Sequence, residues 1–317
     1  MNPFYSTLDK RNKIGPYGVY LFLIALCLIF SFLSPFFLSW DNFLNILLSS
    51  STIGLLSIGA AFVIASAGLD LSVGSILAFS ASAAAIFTSS EFAWPLMILV
   101  CLFTGSAVGF FNGFFITRLR VPAFIVTLGM LSIARGLALI ITDGRPVYGL
   151  PKEIVFLGQG LIFAIPVPVW IFLIVGLSMQ IVLQRTRFGV HTLCIGDNQK
   201  AVFNAGVNVK AHKVKLYILS GFLASIAGLV FMGRVNAADP SAGLMYELSA
   251  ITGAILGGTH LFGGRASVVG AMLGALIMGV LQNGLTLLAI PSYYQQVAIG
   301  AVLILAVAID RLKPEGI

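Results

Sequence analysis

The sequence predicts an all-α membrane protein that crosses the bilayer about ten times. Its composition, its apolar run lengths and the placement of its charges lead to this reading. Of 317 residues, 59% are hydrophobic and 9% are charged, against about 25% charged in an ordinary soluble domain. Such a chain cannot cover its own surface in water, so lipid is the solvent that suits it.

Apolar runs at 17–34, 46–66, 72–88, 94–116, 122–142, 166–184, 214–232, 247–262, 266–288 and 294–309 read as spans. The second and third lie close together, and the eighth is short and glycine-rich, as a partly re-entrant segment would be. Charge sets the sidedness. With the N-terminus in the cytoplasm, ten spans return the C-terminus there. Fourteen of the 18 lysines and arginines then face the cytoplasm, only Arg145, Lys152 and Arg234 lie outside, and Arg135 falls within a span. The net charge of +7 thus reads as topology, not as an affinity for nucleic acid.

The first apolar run follows Lys10, Arg11 and Lys13 and leads into Ser34-Pro35-Phe36-Phe37, with no small-residue cleavage site. It reads as a retained span. Cys27, Cys101 and Cys194 imply neither a disulfide framework nor a metal centre. Two loops are large: an external one near 143–165, rich in turn residues, and a cytoplasmic one near 185–213. Neither is long enough to be a separate domain, so residues 1–317 form one permeation domain.

The chain carries no Gly-x4-Gly-Lys phosphate loop, no His-Glu-x-x-His and no Gly-x-Ser-x-Gly elbow. No catalytic residue, metal site or bound cofactor is expected. Acidic residues near the spans are few: Asp70, Glu247 and Asp310 sit near span ends. An ion-coupled carrier usually buries ionisable relays or breaks its helices. A membrane enzyme needs converging donors, and His191, His212 and His260 are scattered. The driving energy is therefore expected from a partner.

In the cytoplasmic loop, Asp197 or Asn198 can cap a helix start, and Gly206 can stop it. Ala201, Val202 and Ala205 recur between them at helical spacing. A helix of about two turns is too short to stand alone in water. Either it docks on a cytoplasmic ATPase through Gly196, Asp197, Asn198, Ala201, Ala205 and Gly206, or it lies on the membrane surface. Between the second and third spans, Asp70 or Ser72 can cap the third helix or take part in gating. Arg135, inside a span, must face protein or water. It either lines a polar path or satisfies helix-end carbonyls. Asn112, Gln282 and Asn283 are further path candidates, or bond between helices. Tyr293 and Tyr294 suit an interfacial belt. A glycine echo links Gly105-x3-Gly109-x3-Gly113 to Gly270-x3-Gly274; repeated transporter halves and simple close packing both produce such patterns.

Several stretches together resemble the permease subunits of the ribose/xylose/arabinose-type ABC carbohydrate importers. They include Ser34-Pro35-Phe36-Phe37, Gly68-Leu69-Asp70-Leu71-Ser72-Val73-Gly74-Ser75, Val121-Pro122-Ala123-Phe124 and Arg135-Gly136. Further on come Arg185-Thr186-Arg187-Phe188-Gly189, Gly196-Asp197-Asn198, Tyr246-Glu247-Leu248, Gly257-Gly258-Thr259 and Tyr293-Tyr294-Gln295. The resemblance implies a bacterial inner-membrane permease that pairs with a second copy or paralogue. It implies docking on a cytoplasmic ATPase that uses ATP and Mg, and solute delivery by a periplasmic binding protein. The loop after Arg185 corresponds to the family's ATPase-coupling region. Where the family usually has Gly-Gly-Ile-Asp, this chain has Ala67-Gly68-Leu69-Asp70. The expected solute is small and polar, most naturally a monosaccharide. A sugar-derived signalling molecule and an ion-coupled carrier are the alternatives.

Overall fold

The computed structural model describes residues 17–87 and 94–312. The basic N-terminal stretch, Lys313 and the end of the third predicted span lie outside the described residues. In chain order the elements are α1 (Tyr17–Leu33), α2 (Trp40–Ala65), α3 (Val73–Phe87), α4 (Trp94–Arg118), α5 (Ala123–Ile141), α6 (Lys152–Gln159), the hairpin β1 (Leu161–Ile162) and β2 (Ile165–Pro166), α7 (Val167–Arg185), α8 (Arg187–Asn204), α9 (Val209–Val235), α10 (Tyr246–Leu256), α11 (Val268–Leu287) and α12 (Ser292–Leu312). Among the described residues, α2, α4, α5, α7, α9 and α11 are long and apolar enough to cross a membrane. α1, α3, α10 and α12 are apolar over shorter lengths. Phe32 is 89% exposed, Phe103 75% and Ile140 71%, an outer surface suited to lipid. The protein is a polytopic all-helical membrane protein.

Two helices make the core. α2 is buried continuously from Ser50 to Ala65, and α9 is buried along most of its length. They run antiparallel: Arg234 reaches Ser49, Gly59 lies against Ser220, and Gly68 lies against Tyr217. Around them the chain is built twice. α4 packs on α9 as α11 packs on α2, and α3 packs on α9 as α10 packs on α2. α3 meets α4 and α5 as α10 meets α11 and α12. The units α2–α5 and α9–α12 thus form an inverted repeat, a common plan in transporters. The glycine echo falls on equivalent helices, α4 and α11.

Close helix contact explains those glycines. A methyl group at Gly105, Gly109 or Gly113 would overlap backbone of Gly221, Tyr217 or Val214 on α9. A methyl at Gly270 or Gly274 would overlap Gly257 or Gly253. In a bilayer, where apolar burial gives no drive between helices, this backbone approach is what joins them.

The structure corrects several sequence expectations. The second span begins at Trp40 rather than near 46, because the Ser39 hydroxyl accepts from Asn42 N at 3.3 Å and caps the helix. The external loop holds α6 and the hairpin. Pro151 sets the helix entry, and Gly158 packs directly on Gly233 and Arg234. The eighth segment is helical only to Leu256, since Gly257 seats against Gly270 and Gly258 adopts φ +90°.

Gly109→Val tests the α4–α9 contact. Overpacking of this kind costs about 1–3 kcal/mol or more, so the unfolding midpoint in detergent should fall by several degrees. Gly129→Ala, at a position with nothing within 4 Å, should leave it unchanged. Equal midpoints would remove the packing argument.

Candidate transport path and coupling surface

α8 projects from one end of the bundle, the end opposite α6. It is longer than the expected two turns because Thr186 already caps it, accepting from Gly189 N at 3.3 Å. The anticipated cap is present farther along, as a kink. Asn198 leaves helical geometry (φ −148°, ψ 90°), and its Oδ1 accepts from Ala201 N at 3.0 Å. Gly206 closes the second segment at φ +84°. Val202 packs into a small cluster with Ile195 and Val209. Asp197, Ala201 and Ala205 are exposed, and Phe203 is 68% exposed.

Gly196 joins this elbow to the bundle. A methyl there would overlap Ala65 O and Gly264 N, which themselves hydrogen-bond at 3.0 Å. Three segments therefore meet at one point: α8, the end of α2, and the turn linking α10 to α11. Two of them lead to short helices, α2 through residues 66–72 to α3, and the turn to α10.

Asp70 organises the first crossing. Its Oδ1 accepts from Ser72 N at 3.0 Å and from Ser72 Oγ at 2.6 Å, and its Oδ2 accepts from Ser220 Oγ at 2.8 Å. Asn112 Nδ2 donates to Ser72 Oγ at 2.8 Å, and the Tyr217 hydroxyl donates to Leu69 O at 3.2 Å. Asp70, Ser72 and Asn112 are buried. The cluster binds the entry of α3 to α4 and α9.

Arg135, on α5, is half-buried and serves the second crossing. Its Nη1 donates to Pro240 O at 2.6 Å and to Ala242 O at 2.7 Å, in the strand of backbone that leads into α10. Asp239 and Glu247 attract the guanidinium across space, without a direct ion pair among the described residues. Gln282 Nε2 reaches Ser249 Oγ at 3.5 Å. Asn283 Nδ2 donates to Asn42 Oδ1 at 2.8 Å, and Asn42 Nδ2 in turn donates to Phe37 O at 2.9 Å. The four path candidates are thus spread over three places: Asn112 at the Asp70 turn, Asn283 at the start of α2, and Arg135 and Gln282 beside α10.

Sequence reading passed over Asp239 and Ser241. Their signal is a repeat. Asp239-Pro240-Ser241 makes the same bonds as Asp70-Leu71-Ser72, Ser241 N and Oγ donating to Asp239 Oδ1 at 2.8 and 2.7 Å. Among the described residues, no three His, Cys, Asp or Glu side chains converge as metal ligands.

An inverted helical repeat with helices interrupted inside the bundle is an architecture common among transporters. The chain belongs to the family described as branched-chain amino acid transport system / permease component, whose model matches residues 42–307. It is 41% identical to a ribose import permease protein of Haemophilus influenzae, over 92% of each chain. It is 38% identical to a D-allose transport system permease protein of Escherichia coli, over 93% of this chain and 91% of the relative. An L-arabinose ABC transporter permease protein of Azospirillum brasilense is 35% identical, over 95% of this chain and 88% of that one. No solved structure matches.

Asp70→Ala leaves the Ser72 amide and the Ser220 hydroxyl without their buried acceptor. Each orphaned group costs about 1–3 kcal/mol, so a marked loss of thermal stability in detergent is expected. Asn112→Ala removes a donor from a hydroxyl that keeps Asp70, and should cost clearly less. Equal losses would contradict this hierarchy.

Proposed function

We propose that this chain is the membrane permease of an ATP-driven importer in the bacterial inner membrane, and that it carries a monosaccharide into the cytoplasm. On this reading the six long and four shorter apolar helices are ten spans, with both termini and α8 in the cytoplasm. That orientation follows from the charge bias. Two permeases pair around the path. A periplasmic binding protein delivers the sugar, and a cytoplasmic ATPase docked on α8 binds and hydrolyses ATP with Mg. The sugar-import names of relatives that align over nearly the whole chain support the solute class.

The observation that carries the reading is the joint at Gly196. An exposed elbow with an uncovered phenylalanine at its tip is pinned, through one backbone contact, to two segments that run into the core. Movement of an ATPase under α8 would reach α3 through α2 and residues 66–72. It would reach α10 through the Gly257–Gly264 turn. The entries of α3 and α10 meet at Gly74, where a methyl would overlap Gly243 O. The Gly243 carbonyl and the Glu247 carboxylate both face Gly74 there, and a small slide of one helix past the other opens or closes the contact. That is a packed two-state element of the kind gating needs.

The test is reconstitution of this permease in liposomes with the ATPase and binding protein of its operon. ATP-dependent uptake of D-ribose is expected, lost when the ATPase is left out. Uptake driven by a proton or sodium gradient without the ATPase would instead make it a secondary carrier. Phe203→Glu should release the ATPase on co-purification. Gly196→Val should keep the ATPase bound yet reduce ATP-driven uptake at least about tenfold, a loss of about 1.4 kcal/mol or more in coupling. Normal uptake by Gly196→Val would exclude the joint as the coupling point.

A further inference from the structure

The twin Asp-x-Ser turns differ in one respect. The Asp70 turn is sealed: Ser220 takes the second carboxylate oxygen, Asn112 takes the serine hydroxyl, and Asp70 and Ser72 are 2% and 0% exposed. The Asp239 turn has the same internal bonds, but Asp239 is half-exposed and Ser241 exposed. Among the described residues, no other protein group donates to either side chain.

Depth decides what such exposure means. α10 has eleven residues and so rises about 16 Å from the turn that touches the end of α2. Its first residues therefore lie near the middle of a hydrocarbon layer about 30 Å thick. Arg135 stands six residues before the end of α5, about 9 Å below that end. Charged groups left accessible at such depths do not face lipid; they face water held inside the protein. Arg135 and Glu247 are half-exposed there, and Asp239, also half-exposed, lies nearer the loop at 143–165, one residue past Ala238, which pairs with Val147.

The chemistry of the group is specific. The Glu247 carboxylate lies against Gly74 at the entry of α3. Arg135 spends Nη1 on the Pro240 and Ala242 carbonyls, while its buried Nε has no protein partner. Opposite charges thus face one another without touching, donors on one side and acceptors on the other. Hydroxyl groups both donate and accept, so they bridge such a gap. Two carboxylates against one guanidinium leave an excess negative charge, which repels anions.

We propose that Arg135, Asp239, Ser241 and Glu247 form a solute-binding station in the path, selective for a neutral polyhydroxylated molecule over a phosphorylated or carboxylated one. The proposal rests on the importer reading above and names the residues that select its substrate.

Two experiments separate the failure of one from the failure of the other. The first needs no knowledge of the solute. In a chain with Cys27, Cys101 and Cys194 replaced by serine, Ser241→Cys and Ile174→Cys are exposed to a charged methanethiosulfonate in intact cells. Ser241→Cys should react and Ile174→Cys, on the lipid face of α7, should not. An unreactive Ser241→Cys overturns the station. The second is D-ribose uptake in the reconstituted importer. Asp239→Asn and Glu247→Gln should each raise the half-saturating concentration of loaded binding protein or lower the uptake rate about tenfold or more. ATPase stimulation by that loaded protein should persist. Glu247→Gln should also weaken the exclusion of ribose 5-phosphate as a competitor. Wild-type uptake by both variants overturns the station even with the importer working. A reactive Ser241→Cys in a chain that moves no ribose under ATP supports an aqueous path there and sinks the importer reading alone.

Discussion

A helix that breaks inside hydrocarbon exposes backbone N–H and C=O groups that lipid cannot satisfy, and this constraint shapes the rest of the molecule. The chain breaks twice within the bundle, before α3 and before α10. At each break an aspartate two residues ahead of a serine supplies acceptors to the loose amides. At the first break the remaining valences go to α4 and α9, through Asn112 and Ser220. At the second, Arg135 takes the freed carbonyls, which lets a half-buried guanidinium persist in the bundle. Of the two readings of Arg135, the bonds to the Pro240 and Ala242 carbonyls match the satisfaction of helix-end backbone.

Glycine does for the helices what polar side chains do for the breaks. Between α4 and α9, and between α10 and α11, the contact is backbone on backbone. Close approach of that kind is stiff along the helix axis, because no flexible side chain absorbs displacement. The same close approach at Gly196 ties the elbow of α8 to the end of α2 and to the turn between α10 and α11. At Gly74 the Gly243 carbonyl and the Glu247 carboxylate both lie where a methyl group would stand.

Much of this was legible in the residues. Apolar run lengths located the spans within a few positions, and the caps proposed at Asn198 and Gly206 correspond to real helix ends within α8. Elsewhere local pattern was insufficient. The start of α8 at Thr186 was hidden because its first turns are polar and carry Gly189, which reads as loop until its contact with the Leu183 backbone is seen. α6 was hidden in a stretch rich in proline and glycine, since its stability comes from packing Ile154 and Gly158 on α9. Asp239 and Ser241 escaped notice because a single Asp-x-Ser is common. Only its recurrence at equivalent places in an inverted repeat singles it out.

By itself the sequence determined the solvent and the helical class, because these follow from a free energy summed over many residues, the transfer of apolar segments into lipid. Tertiary structure alone decided which polar groups are spent and which are open. Asp70 and Asp239 have the same local neighbours in kind and make the same local bonds. Their difference lies in Ser220 and Asn112, far off in the chain, and burial by distant residues is not written in local pattern.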